Sequence, residues 1–190
     1  MSAMNMPMRA ASAAGASAFS VDAPGFRSFF RHYASGVSVI TACTPDGPRG
    51  LTATSVCALS LDPPLLLVCI TRNSRTGMAI AQSGLFAVHL LRADQSWLCR
   101  RFSVLERDGS RKFERLEMIN NSPVPLIANT FSWVVCERWA EYDGGDHTII
   151  VGRLLESGRP QEESVPLIWF AGRSCYPESV HNRPDSWPVV

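Results

Sequence analysis

The sequence has little net charge: its 190 residues include 18 lysines and arginines against 17 aspartates and glutamates, a balance of +1. Nucleic-acid binding usually requires a basic excess that displaces counterions from phosphates, so we expect no nucleic acid as a partner. The chain also lacks an uninterrupted apolar run of the roughly 20 residues that cross a bilayer, which predicts no membrane association. Hydrophobic residues make up 46% of the chain, enough for the core of one domain.

Several signatures of metal sites and common catalytic sites are missing. The six cysteines are at least 12 residues apart, so no C-x-x-C pair predicts zinc or dithiol chemistry. The four histidines show no metal-ligand spacing, and we therefore predict no metal site. No nucleophile elbow supports Ser-His-Asp catalysis. Because a glycine-rich dinucleotide fingerprint is also missing, a nicotinamide cofactor would have to bind without a Rossmann unit.

The two ends of the chain differ in composition from the middle. Residues 1–21 are mostly Ala, Ser and Met, and this predicts a flexible N-terminal segment. The segment is too weakly apolar for a signal peptide, so we expect the protein in the cytoplasm, where cysteines stay reduced. Residues 22–174 predict a single folded domain, and residues 175–190, rich in Pro, Ser and charge, predict a C-terminal tail.

Short apolar runs separated by turn residues predict a mainly β fold. A Pro-Asp-Gly-Pro turn and an Asp-Gly-Gly-Asp turn each separate two runs, which is a hairpin signature. Because strands outnumber helices and hairpins dominate over long crossovers, we expect a closed antiparallel barrel with a few peripheral helices. The predicted strands cover residues 37–43, 51–61, 65–71, 85–91, 131–142, 147–157 and 165–170.

Three short helices are predicted outside the barrel. The first begins after Asp22 as N-cap and ends at Gly36. The second is capped by Ser74 and stops at Gly84, and the third is capped by Asp94. The first helix carries four aromatic rings that share one face by their spacing: Phe26, Phe29, Phe30 and Tyr33.

Hydroxyl side chains are concentrated in the run from Gly50 to Ser55. By strand alternation, Thr52 and Thr54 share one face and Ser55 lies on the other. Their hydroxyls and the amides between them are suited to binding a planar heteroaromatic ring or a phosphate. The alternative is that β-branched threonines simply suit an exposed strand face.

The segment from Thr71 to Thr76 follows a buried strand and opens a helix. Unpaired N–H groups and the positive end of the helix dipole favour an anion there. Further donors are the hydroxyls of Ser74 and Thr76 and the guanidinium group of Arg72 or Arg75. This pattern predicts a phosphate site, although an ordinary capped helix with solvated arginines fits the same residues.

His147 follows the Asp-Gly-Gly-Asp turn and begins an apolar strand. A histidine at the mouth of a barrel can hydrogen-bond a ligand. Taken alone, it is more typical of a residue that caps the turn, so the sequence pattern leaves both roles open.

Three blocks of the sequence, at residues 33–41, 50–64 and 145–153, stand out together with the run at residues 84–91. In this order they resemble the flavin reductase-like family, which comprises small NAD(P)H:flavin oxidoreductases with an FMN-binding split barrel. The likeness covers roughly residues 26–173 and implies an antiparallel split β-barrel with a few peripheral helices.

The resemblance also implies a set of ligands and site residues. FMN or FAD would bind near the subunit boundary of a homodimer, and NADH or NADPH would supply the hydride. His147 matches the histidine that positions the nicotinamide. The positions that match the isoalloxazine and ribityl segments are Thr52, Ala53, Thr54, Ser55, Ser60, Leu61 and Asp62. Those that match the phosphate-side loop are Ser74, Arg75 and Thr76.

The implied function is an NAD(P)H:flavin oxidoreductase that delivers reduced flavin to a separate flavin-dependent monooxygenase. Two alternatives stay open at this point: a flavin-binding split barrel without NAD(P)H turnover, and a structural subunit whose barrel has lost its ligand. The position of His147 within a Gly-Asp-His run favours the enzyme.

Overall fold

The computed structural model describes residues 21–104, 109–158 and 164–177. The predicted flexible segment at residues 1–21 lies outside this part except for Val21, and the predicted tail lies outside it from residue 178 onward. The helices are α1 (Ala23–Phe30), α2 (Arg75–Ser83) and α3 (Ser96–Ser103), with 3-10 turns at Ala93–Gln95 and Gly109–Phe113. The strands are β1 (Ser35–Gly36), β2 (Ser38–Thr44), β3 (Gly47–Ala53), β4 (Val56–Leu61), β5 (Pro64–Thr71), β6 (Leu85–Leu90), β7 (Met118–Ile119), β8 (Leu126–Ile127), β9 (Ser132–Gly144), β10 (His147–Gly158), β11 (Ile168–Phe170) and β12 (Arg173–Cys175).

Seven strands form one antiparallel sheet in the order β3-β2-β6-β9-β10-β5-β4. The edge strands β3 and β4 follow each other in the chain, joined only by Thr54 and Ser55, so the sheet curls back on itself. In the described part of the chain no ladder joins β3 to β4, and the barrel is split along this seam. The expected antiparallel split barrel with a few peripheral helices is therefore confirmed. The seven strands and α2 share one apolar core, which includes Ile40, Ala53, Val56, Val68, Ile80, Phe86, Cys136 and Ile150.

The boundaries of α2 match the local sequence signals at both ends. The Ser74 hydroxyl accepts a hydrogen bond from the Gly77 amide at 3.0 Å, which is N-cap geometry. Gly84 ends the helix with φ +71°, and its amide donates to the carbonyl of Ile80 at 2.9 Å. A left-handed residue at this point favours glycine because a Cβ is strained there.

α1 begins as predicted and ends early. The Asp22 carboxylate accepts a hydrogen bond from the Gly25 amide at 2.9 Å and caps the helix. The helix ends at Phe30 instead of Gly36, so that part of the prediction is wrong. The reason is long-range: Gly36 lies in β1, which pairs with β11 from the far end of the chain.

The predicted cap of α3 is also wrong. Asp94 lies in the 3-10 turn before the helix, and its carboxylate pairs with the Arg92 guanidinium at 2.8 Å. The helix itself begins at Ser96. The ion pair occupies the carboxylate that was expected to accept from the helix amides.

Two strand predictions need correction. The run at residues 51–61 is interrupted at Thr54 and Ser55, because Ser55 bonds across to Cys69 in β5 and turns the chain into β4. Of residues 165–170, only the last three form a strand. The remaining predicted strands are present, with ends that differ by no more than two residues.

The long hairpin β9–β10 is confirmed, with Gly145 at φ +80° in its turn. β10 pairs on its other side with β5, and this register places His147 opposite Thr71. The tip of the hairpin, the end of β5 and the start of α2 therefore meet at one end of the barrel.

Candidate functional site

Both ring nitrogens of His147 have a neighbour at the tip of the hairpin. Nδ1 lies 2.7 Å from Oδ1 of Asp146, and Nε2 lies 3.4 Å from the hydroxyl of Thr71. The imidazole holds the pKa of Asp146 below its usual range, chiefly through this hydrogen bond. Because a carboxylate can only accept, Nδ1–H donates to Asp146, and in this neutral tautomer Nε2 is the acceptor.

The hairpin tip is attached to the β5–α2 loop through Arg72. Its amide donates to the carbonyl of Asp146 at 3.0 Å, and its guanidinium forms an ion pair with the Asp143 carboxylate. That carboxylate also accepts from the Gly145 amide at 2.8 Å. The Arg72 hydrogen bond is the main cause that lowers the pKa of Asp143. Sequence analysis missed the role of Asp143, because nothing local shows that β5 pairs with β10. It also missed the bond from His147 to Asp146, although the two residues are neighbours in the chain.

The N-terminus of α2 lies beside this tip. The Thr76 amide, in the first helical turn, has no carbonyl to pair with inside the helix, and its side chain is buried. Arg75 begins the helix, and the Ser74 hydroxyl is engaged in the cap. A cleft of about 160 Å³ opens between α2 and the hairpin, lined in part by Thr71, Asn73, Ser74, Met78, Glu141 and Thr148.

The hydroxyl groups of the β3–β4 segment have different surroundings from those predicted. The Thr52 hydroxyl donates to the carbonyl of Cys99 in α3 at 2.7 Å. The Ser55 hydroxyl donates to the carbonyl of Cys69 at 2.8 Å. Ala53 is buried, and Thr54, outside the strand, is exposed. The prediction that Thr52 and Thr54 share a strand face is therefore wrong, because β3 ends between them.

Another group of predicted site residues lies at the turn of the β4–β5 hairpin, at the end away from Thr71 and His147: Ser60, Leu61 and Asp62. Ser60 is opposite Leu65, six residues before Thr71, a distance of about 20 Å along an extended strand. The structure thus gathers Thr54, Ser55, Ser74, Arg75, Thr76 and His147 around the end of β5. It leaves Ser60, Leu61 and Asp62 apart from them, and the ligand roles of all these residues stay predictions.

Among the residues that the structure describes, no three His, Cys, Asp or Glu side chains lie close enough together to hold a metal ion. No helix in the described ranges is long and apolar enough to span a lipid bilayer.

Together, the fold and the site define an antiparallel split-barrel protein with polar groups gathered at one end. The chain belongs to the flavin reductase-like family: the family model described as "Flavin reductase like domain" matches residues 30–178. The expected family membership is therefore confirmed.

Individual relatives agree with this assignment. The chain is 40% identical over 148 residues to the FMN reductase (NADH) SmoA of Agrobacterium fabrum, covering 77% of this chain and 82% of that protein. It is 32% identical over 169 residues to HsaB of Rhodococcus jostii, a reductase subunit of a flavin-dependent monooxygenase, covering 88% and 84%. The crystal structure of a nitrilotriacetate monooxygenase component B homologue from Mycobacterium thermoresistibile superposes with a TM-score of 0.79 at 32% identity, covering 87% and 92%.

Proposed function

We propose that this protein is a flavin reductase that transfers a hydride from NADH to FMN or FAD and supplies the reduced flavin to a separate monooxygenase. The observation that carries the proposal is the pairing of Thr71 with His147, which sets a histidine beside the N-terminus of α2. The relatives named above are NADH-dependent or monooxygenase-associated reductases of the same family. NADPH is the alternative donor.

The groups at this end of the barrel suit a flavin phosphate. The amide of Thr76 and the dipole of a nine-residue helix favour an anion at the start of α2. Arg75 adds a guanidinium, which recognises phosphate oxygens. The exposed hydroxyl of Thr54 and the main chain of Thr54 and Ser55 would hold the polar edge of the isoalloxazine, while the hydroxyls of Thr52 and Ser55 keep their structural partners.

The task of the chain in hydride transfer is positioning. A bound flavin supplies the electron chemistry, accepting a hydride from the reduced nicotinamide. His147, with Nδ1 held by Asp146, would orient the donor by accepting a hydrogen bond from the nicotinamide at Nε2, in place of its 3.4 Å contact with the Thr71 hydroxyl. Correct orientation alone lowers the barrier substantially, and no side chain needs to move a proton during this step.

We also propose that the protein forms a homodimer through α1. This eight-residue helix has no buried residue, and such a short helix is marginal without tertiary packing. Its rings contact one another, and a second copy would cover them: Phe26, Phe29, Phe30 and Tyr33 are 57%, 71%, 46% and 62% exposed. A flavin at the subunit boundary would let Ser60, Leu61 and Asp62 of one copy approach the flavin held by the other. All six cysteines are free thiols, which fits the cytoplasm as the location.

The activity is tested by mixing the protein with NADH and FMN or FAD and following NADH absorbance. We expect protein-dependent loss of NADH only when flavin is present. Flavin binding without NADH loss would point to a binding module without turnover. The absence of both flavin binding and NADH loss would point to a subunit that has lost its ligand. Initial rates with the four pairings of flavin and nicotinamide would identify the preferred pair.

A further inference from the structure

The tip of the β9–β10 hairpin is exposed. Residues 141–146 are all exposed, and such a strand end opens easily unless other bonds hold it. Two bonds from one residue do so: the Arg72 amide donates to the carbonyl of Asp146, and the Arg72 guanidinium pairs with the Asp143 carboxylate. Asp146 immediately precedes His147, whose main chain pairs with Thr71 and Gly144, so the Arg72 bonds add to these ladders in fixing the main chain from which the imidazole extends.

We propose that the Arg72–Asp143 ion pair is a positioning element that holds His147 at the nicotinamide site. The proposal rests on the proposed function, in which His147 contacts the reduced nicotinamide. Arg72 and Asp143 act through the hairpin tip and do not touch the reacting atoms. A small displacement of a positioned group is enough to slow a reaction that depends on orientation.

The ion pair is too exposed to matter much for overall stability. The two side chains are 47% and 77% exposed, and solvent-exposed ion pairs contribute little to the free energy of unfolding. Breaking the pair should therefore leave the barrel folded and change the local position of His147.

A direct contact between Arg72 and an anionic part of NADH is the competing explanation, and the Asp143 variant separates the two. If Arg72 binds the nucleotide itself, Asp143→Asn releases the Arg72 guanidinium from its ion pair, and the KM for NADH decreases or stays unchanged. If the pair positions His147, Asp143→Asn raises this KM as Arg72→Ala does.

The kinetic experiment compares the wild type with Arg72→Ala, Asp143→Asn and the double variant. We expect each single change to raise the KM for NADH about tenfold, and the double change to raise it no further, because both remove one interaction. The flavin dissociation constant should change less than about twofold. Asp94→Asn is the matched control, since it removes a mostly exposed carboxylate that pairs with an arginine, Arg92, outside the site. The KM of this variant for NADH should stay at the wild-type value.

Amide hydrogen exchange without cofactors gives a second measurement. The amide at position 72, bonded to Asp146, should exchange at least about tenfold faster in Asp143→Asn than in the wild type or in Asp94→Asn. Unchanged exchange would overturn the proposal, and so would faster exchange with an unchanged KM for NADH. If the wild type oxidises no NADH with either flavin, the proposed function fails and the positioning role fails with it. The exchange rates would then still show whether the ion pair holds the hairpin tip.

Discussion

The imidazole of His89 accepts a hydrogen bond from the amide of Ile127 at 3.1 Å, joining β6 to the short strand β8. The other ring nitrogen donates to the carbonyl of Val39 at 3.1 Å, so His89 connects three strands while it is fully buried. Only the neutral ring can make both bonds. Burial lowers the pKa of His89 to about 4, an effect that the hydrogen bond to Val39 partly opposes.

This pKa predicts that the folded state loses stability as the pH falls below 6.5. Between pH 6.5 and 4 the unfolded chain binds a proton at His89 and the folded chain does not, so the free energy of unfolding decreases with decreasing pH in this window. The full loss from this residue is about 3 kcal/mol, and about 2 kcal/mol of it falls between pH 7 and pH 5. Urea unfolding at the two pH values measures it.

His89→Asn removes the titrating group and should flatten this part of the pH dependence. The variant is expected to be less stable at pH 7, because buried bonds to Val39 and Ile127 are weakened. Equal pH dependence in the wild type and the variant would contradict the assignment to His89.

Gly152→Ala should destabilise the barrel. A Cβ at this position would lie 2.4 Å from the ring of Phe86 and 2.9 Å from Cβ of Cys136, and both neighbours are buried. Overpacking of this kind costs about 1–3 kcal/mol. Gly36→Ala is the matched control. A Cβ added there would meet no atom within 4 Å apart from its chain neighbours, and we expect the free energy of unfolding to change by less than about 0.5 kcal/mol in thermal or urea unfolding.

His147→Ala should slow NADH oxidation while flavin still binds. Loss of one orienting hydrogen bond is expected to lower kcat/KM for NADH roughly tenfold, with little change in the flavin dissociation constant. His32→Ala replaces an exposed histidine elsewhere and serves as the control. Wild-type turnover of His147→Ala at limiting NADH would refute the proposed role.

Phe29→Glu should weaken the proposed homodimer. Phe29 has the most exposed ring of the α1 face, and a carboxylate buried between two copies is strongly unfavourable. Analytical ultracentrifugation of the wild type should give twice the mass of one chain, and the variant should need at least about tenfold higher concentration to associate. Trp97→Glu changes an exposed ring on α3 and should leave association unchanged. A monomeric wild type would exclude the dimer.

Sequence signals identified those features that depend on neighbouring residues. Ser74 caps α2 and Gly84 ends it because each acts on amides or dihedral angles within one helical turn. The Asp-Gly-Gly-Asp hairpin is equally local. The strand pattern also predicted an antiparallel barrel, and local patterns singled out Thr54, Ser74 and His147 as candidates with their roles left open. The family resemblance supplied the split of the barrel and the ligand role of each candidate.

Contacts between distant residues were not predicted. Thr52 was expected to offer its hydroxyl to a ligand, but the packing of α3 against β3 brings the Cys99 carbonyl within bonding distance. Ser55 bonds to Cys69 in the same way and interrupts the expected strand. A hydroxyl takes whichever partner the fold provides, and spacing along one strand does not reveal that partner.

The amino-acid order alone determined the two hairpin turns, where α2 begins and ends, and most of the strands, since these depend on short-range steric and hydrogen-bonding preferences. Only the tertiary structure decided that Thr71 contacts His147, 76 residues further along the chain, and that Arg72 forms an ion pair with Asp143. The register of β5 against β10 results from packing the whole core at once, and no local segment contains that information.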